Sequence, residues 1–146
     1  SKQLLNISYG YGRIYVVTSE MIKGQKQGSV SPLPIADMPS GVMRGRFNTA
    51  DGQLYTCGLF AWASNRNQRA GGLWRGRYTG AEVMLPVALN ATEKGIKVTF
   101  STELASTQNK AKLRVRKWDL LRSEKYGSKH LNEKTLKVKS KEEADF

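Results

Sequence analysis

Val42-Met43-Arg44-Gly45-Arg46-Phe47, then Asn48-Thr49-Ala50-Asp51-Gly52, then Gln53-Leu54-Tyr55-Thr56-Cys57-Gly58-Leu59-Phe60 is the stretch on which the fold turns. Two runs of strand length, rich in Val, Phe, Leu and Tyr, flank a polar connection. That connection ends in Asp-Gly, which supplies the positive φ a tight turn needs. No apolar stripe of helical period competes, so the stretch is predicted to be a β-hairpin. Residues i and i+2 of a strand share a face, which sets Arg44 with Arg46 on one side and Met43 with Phe47 on the other.

The pattern repeats outward from this hairpin. Trp74-Arg75-Gly76-Arg77-Tyr78 echoes Met43-Arg44-Gly45-Arg46-Phe47, and Lys112, Arg114 and Arg116 follow the same alternation. Further strands are predicted at 4–9, 13–18, 72–78, 87–91, 95–100 and 112–121. Turns are marked by Gly10-Tyr11-Gly12, Thr79-Gly80 and Glu93-Lys94-Gly95. Pro32, Pro34 and Pro39 make 29–39 an extended loop or edge segment, since proline cannot donate to a central ladder. The stretch 65–71 reads as a polar loop, and beyond residue 131 only Leu136 and Val138 support one edge strand. The expectation is an all-β chain.

Composition divides it in two. Twelve of 14 glycines and 7 of 10 arginines precede Pro86, whereas 11 of 14 lysines follow it. We therefore place a module boundary there, giving 1–85 and 86–146. The whole chain, 146 residues at 39% hydrophobic and 25% charged, is globular in composition. Its 24 Lys and Arg against 12 Asp and Glu give +12, shared equally by the two parts, so the charge is no detachable tail. Such an excess draws polyanions and acidic surfaces by long-range attraction.

Several chemistries are disfavoured at once. No run of eighteen apolar residues exists, so no membrane-spanning helix is expected. The chain starts at Ser1 without a leader pattern and reads as a processed chain or an excised segment. A lone Cys57 rules out an internal disulfide framework, a multi-cysteine zinc site and the paired-cysteine attachment of a c-type haem. A lone His130 excludes multi-histidine metal sites, and its neighbour Ser128 lacks the third group that would orient a nucleophile and base. No catalytic residue, cofactor or metal is predicted. Cys57 shares a face with Tyr55 and Leu59 and is expected to be a buried, inert thiol.

The candidate binding residues are Arg44, Arg46, Arg75, Arg77, Arg114 and Arg116. Their guanidinium forks suit carboxylate, phosphate and sulfate oxygens, so neighbouring strands would present a polyanion platform. The alternative is a solvated sheet face whose charges oppose edge pairing. Most of Tyr55, Phe60, Trp62, Trp74 and Tyr78 are expected in the core. Trp62 is the exception, placed before the polar loop where its ring could stack on a sugar or base.

The strings SGVMRGRFNTADGQLYTCGLFAWASN, GGLWRGRYTG, LPVALNATEKGIKVTFS and KWDLLRSEKYGSKHLNEKTLKV resemble the C-terminal region of large exported proteins of planctomycete and verrucomicrobial bacteria. In that family a propeller similar to the glucose/sorbosone dehydrogenase type is joined to further β modules and a c-type cytochrome domain. The resemblance spans residues 4–138. It implies that 1–85 contains a closing propeller-blade-like antiparallel sheet and that 86–146 is a small immunoglobulin-like β-sandwich, incomplete at Phe146 or completed by a partner. It further implies a periplasmic or secreted location. The haem-attachment motif is absent, so no redox role transfers.

Residues and resemblance together predict a non-catalytic binding or assembly module of an exported bacterial protein. Its basic face would address an acidic glycan, the envelope, or a partner subunit within a larger parent chain or complex. Two other readings stay open: a fragment or subunit of a propeller-type sugar or alcohol dehydrogenase assembly, and non-specific binding of nucleic acid.

Overall fold

Runs of β-branched and aromatic residues punctuated by glycine turns produce strands. A computed structural model describes residues 3–61, 69–103, 114–124, 127 and 129–138, and among these there is no helix. The strands are β1 (Leu4–Ile7), β2 (Ile14–Ile22), β3 (Gln25–Pro32), β4 (Gly41–Phe47), β5 (Leu54–Leu59), β6 (Gly71–Gly76), β7 (Pro86–Thr92), β8 (Gly95–Phe100), β9 (Val115–Leu120) and β10 (His130–Leu136). They form four small antiparallel sheets, ordered β1-β2-β3, β4-β5-β6, β7-β8 and β10-β9. The chain is all-β, as its sequence predicts. Residues 1–104 and 105–146 make two compact units. The first holds β1 to β8, and the second holds the β9–β10 hairpin.

The compositional boundary at Pro86 marks the first residue of β7 and falls within the first unit. There β7 is fastened to β2, because both carboxylate oxygens of Glu20 accept hydrogen bonds, from the Asn90 side-chain amide and the Ala91 N–H, each at 2.9 Å. The β8 end is tied locally. Ser101 Oγ donates to the Val83 carbonyl at 2.6 Å and accepts from the Leu85 N–H at 2.9 Å.

Sequence alternation ends the second strand at Thr18 and leaves 29–39 extended. In the structure β2 runs on to Ile22, turns at Lys23-Gly24 with φ of 48° and 80°, and returns as the edge strand β3. Two consecutive positive φ values match the twist of a two-residue hairpin. Gln25-Lys26-Gln27-Gly28 carries no apolar alternation because both of its faces are exposed. The ladder with β2 specifies β3, and Pro32 sits at its end, where a missing N–H is tolerated.

Ile14, Val16, Met38, Val42 and Leu54 are buried, and Leu5, Ile7, Leu33, Ile35 and Trp74 pack half-buried around this core. The proline-rich segment reaches it because its backbone docks on β2 and the preceding turn. The Leu33 N–H donates to the Ile14 carbonyl and the Met38 N–H to the Gly12 carbonyl, both at 2.8 Å. Arg13 closes the arrangement with a fork onto Asp37, Nε to Oδ1 at 2.8 Å and Nη2 to Oδ2 at 2.7 Å. These hydrogen bonds, with the charge of Arg13 behind them, hold the Asp37 carboxyl below the usual carboxylate range.

The phase of β4 is reset by a bulge. Val42 opposes Gly58 and Arg44 opposes Cys57, so Met43 is an extra residue between two rungs. Strict alternation would put Val42, Arg44 and Arg46 on one face. With the bulge, Val42 enters the core while both arginines turn outward. The strands come so close at this point that a Cβ on Gly58 would collide with the Gly41 carbonyl and lie 2.8 Å from Ser40 Oγ.

Gly58→Ala is therefore expected to lower stability by about 3 kcal/mol or more, read as a drop in the urea midpoint; a change below about 0.5 kcal/mol would refute the close approach. Because the folded-state pKa of Asp37 is depressed, its contribution is present above the unfolded value of about 4 and is lost as pH falls through the lower folded value. The midpoint difference between the wild type and Asp37→Asn should accordingly be largest above about pH 4 and close below it. Solvent screening at this half-exposed pair keeps that difference under about 1 kcal/mol, and a gap that widens in acid would contradict the pairing.

Candidate functional site

The outer face of β4-β5-β6 follows from register alone. Arg46 opposes Tyr55, which opposes Arg75, and the next row is Arg44, Cys57 and Leu73. Arg77 follows β6 directly and continues the alternation of Arg75. All four arginines are exposed, and Tyr55 stands half-buried between two of them. Three of the six arginines predicted as binding residues thus meet on one sheet face, and Arg77 is exposed just past the end of β6. Nη1 of Arg44 donates to the Met43 carbonyl at 2.9 Å and Nη1 of Arg46 to the Gly45 carbonyl at 3.4 Å. No ion pair to any of the four is present among the described residues.

Asp51 sits at the rim and serves the turn. Its Oδ1 accepts from the Gln53 N–H at 2.9 Å and its Oδ2 from the Tyr55 hydroxyl at 2.8 Å. The Gln53 N–H and then the Tyr55 hydroxyl lower its pKa, and the charge of Arg75 adds a smaller pull. The Tyr55 ring is thereby anchored at its tip. Beside it, the Tyr78 N–H donates to Gln53 Oε1 at 3.1 Å, which keeps the segment carrying Arg77 against the hairpin.

The opposite face holds the sheet to the core. Trp74 is half-buried, and its Nε1–H donates to Ser40 Oγ at 3.0 Å while the Arg69 guanidinium lies 5.8 Å from its ring centroid. The sequence predicts most of the aromatics here, but of the four described ones only Trp74 packs on the core, and Tyr55 stands on the outward face. Tyr78 is 73% exposed and Phe60 43% exposed, since both lie past the strand ends where the small core no longer reaches. Trp62, the predicted stacking residue, lies outside the described residues. Cys57 shares a face with Tyr55 as predicted, but that face looks outward, so the thiol is exposed and the expected burial is overturned.

Arg114 and Arg116 belong to the second unit. Arg114 precedes β9 and is exposed, whereas Nη1 of Arg116 is paired with Glu133 Oε1 at 2.6 Å. His130 Nδ1 lies 3.2 Å from Glu133 Oε2, and the His130 ring stacks on Trp118 with centroids 4.2 Å apart. The hydrogen bonds from His130 and then Arg116 lower the pKa of Glu133. A register shift between Leu131 and Lys134 places two residues, Asn132 and Glu133, opposite Trp118, and Asn132 adopts φ 52°. Nothing in Asn132-Glu133 announced this bulge. Its signal, a residue tolerant of positive φ, is too common to read from sequence.

Elsewhere the surface offers little chemistry. A shallow depression of about 230 Å³ is lined by Gln3, Val17, Thr18, Ser19 and residues 87–90, without an ionisable side chain. Among the described residues no group of three or more His, Cys, Asp and Glu could hold a metal ion, and no helix is long and apolar enough to cross a membrane. No protein-family model, curated protein or solved structure matches the chain.

Exposure of Cys57 has a direct consequence. The native protein should react with a thiol-specific chromogenic reagent stoichiometrically and without denaturant, at a rate near that of the unfolded chain. Reaction only after unfolding would put Cys57 in the core and reverse the facing assigned to β5.

Proposed function

We propose that the chain is a non-catalytic binding or assembly module whose β4-β5-β6 face takes an acidic polymer. The observation that supports this is the gathering of Arg44, Arg46 and Arg75 around Tyr55 on one exposed face, with Arg77 exposed just past the end of β6 and no carboxylate paired to the four among the described residues. Guanidinium groups two residues apart along a strand are spaced by about 7 Å, and those on the two flanking strands by about 10 Å. This grid suits repeated sulfate, phosphate or carboxylate groups better than a single small anion. The net charge of +12 adds attraction at long range. Of the two arginines of the second unit predicted as binding residues, Glu133 engages Arg116, which leaves Arg114 unpaired among the described residues.

The resemblance to exported bacterial proteins favours a periplasmic or secreted setting, where acidic glycans, envelope polymers and partner subunits are available. Nucleic acid carries the same charge and is the second reading, favoured by Tyr55 standing among the arginines.

Replacing the four arginines by Gln should weaken binding to heparin and flatten its salt dependence, because each missing guanidinium leaves a counterion on the polymer that binding would otherwise release. The slope of log affinity against log salt should fall by about 0.7 to 0.9 for each guanidinium that pairs with the polymer. Titrating heparin and a single-stranded oligonucleotide at several salt concentrations measures both quantities and ranks the two polymers. An unchanged affinity and slope would reduce these arginines to a solvated sheet face.

A further inference from the structure

The edge of the same sheet carries an inference that goes beyond the polymer-binding face. In β5-β6 the Phe60 N–H donates to the Ala70 carbonyl at 2.9 Å, extending the ladder by one rung. Antiparallel hydrogen bonds recur at every second pair, so Gly72, Trp74 and Gly76 turn their N–H and C=O groups toward β5. Gly71, Leu73 and Arg75 must then turn theirs to the opposite side. β6 is the last strand of its sheet, and no described strand pairs with that side.

Edges of this kind are normally blunted by lysine, proline or a bulge. The edge strand β3 carries Lys26 and ends in Pro32, and β4 is kinked at Met43. Gly71-Gly72-Leu73-Trp74-Arg75-Gly76 has no proline or lysine, keeps an unbroken register with β5, and leaves Leu73 71% exposed. The residues that look out from the edge are also those whose side chains stand on the outer face. A strand added here would set its own side chains beside Leu73 and Arg75, with Arg77 next in line.

We propose that β6 accepts an extended segment of an acidic protein partner as a fourth strand of the β4-β5-β6 sheet. The segment would carry carboxylates at two alternate positions, beside Arg77 and Arg75, followed two residues on by an aliphatic side chain beside Leu73. Backbone hydrogen bonds to Gly71, Leu73 and Arg75 supply the register, and the arginines select against neutral and basic strands. A second copy of this chain fits poorly. It would bring another +12 and another arginine-bearing strand to the same edge.

The test uses the full chain and a labelled peptide, Glu-Thr-Glu-Thr-Val-Thr-Val, followed by fluorescence anisotropy. In the antiparallel arrangement the amides of its Glu and Val residues face β6, and those of its Thr residues face away. N-methylation of the central Glu or first Val amide should weaken binding about tenfold or more, while N-methylation of a central Thr amide should leave it within about twofold. Leu73→Pro, which removes an edge-facing N–H, should abolish peptide binding and retain heparin binding. Equal affinity for all the methylated peptides, or none for the parent peptide, overturns the strand addition even where heparin still binds. Unchanged heparin binding in the quadruple Gln variant, with the methylation pattern of the parent chain intact, would instead overturn the polymer reading alone. A dimer of the unliganded protein that Leu73→Pro dissociates would assign the edge to a second copy and overturn the acidic partner.

Discussion

The close approach of Gly58 to the Gly41 carbonyl is the constraint on which the β4-β5-β6 sheet depends. It admits the extra residue Met43 and so lets one strand put Val42 in the core and Arg44 on the surface, two residues apart. Without that shift the strand would bury two guanidinium groups or expose Val42, and burying an unpaired charge costs far more than one aliphatic side chain returns. Ser40 lies at the same point. Its hydroxyl accepts from Trp74 on β6, so the node that sets the phase of β4 also fixes the strand two places away.

Holding so few buried side chains together requires fastening from outside the sheets. The fork from Arg13 to Asp37 spans 24 residues and keeps the proline-rich segment folded back, which carries Met38 into the core. Glu20 does the corresponding work for β7. Both carboxylates have their oxygens occupied by donors within the chain, whereas the four outer-face arginines form no ion pair among the described residues. Asp37 and Glu20 are committed to the structure, and the outer-face arginines are left to the surface.

The hairpin of β4 and β5 was legible because Asp51-Gly52 and two apolar runs agree on one answer. The shared face of Arg44, Arg46 and Arg75 was legible for the same reason, since period-two alternation survives without knowledge of tertiary contacts. What alternation lacks is an absolute sense of inside and outside. It put Cys57 with Tyr55 correctly and then assigned that pair to the core, because Tyr55, Cys57 and Leu59 on one face of β5 are as apolar as Leu54 and Thr56 on the face that is in fact buried. β3 was missed for a different reason: an exposed edge strand needs no apolar residues, so only its partner reveals it. The fork of Arg13 and Asp37 and the bond from Trp74 to Ser40 join residues distant in sequence, and no local pattern encodes such pairs.

One geometric identity links the two surfaces that the sheet offers. In an antiparallel strand both side-chain facing and hydrogen-bond direction repeat every two residues, so a residue that looks out from the edge of β6 through its backbone always presents its side chain to the same face. The rung between Phe60 and Ala70 fixes which set that is, and it is the set containing Leu73 and Arg75. Had the rung fallen one residue over, the edge would have been read through Gly72, Trp74 and Gly76. The side chain there is an indole held at Ser40, with no charge to recognise. As built, any strand that docks on the backbone of β6 must also meet its arginine. A strand added there would therefore draw its affinity from the edge and its selectivity from the face through the same few residues.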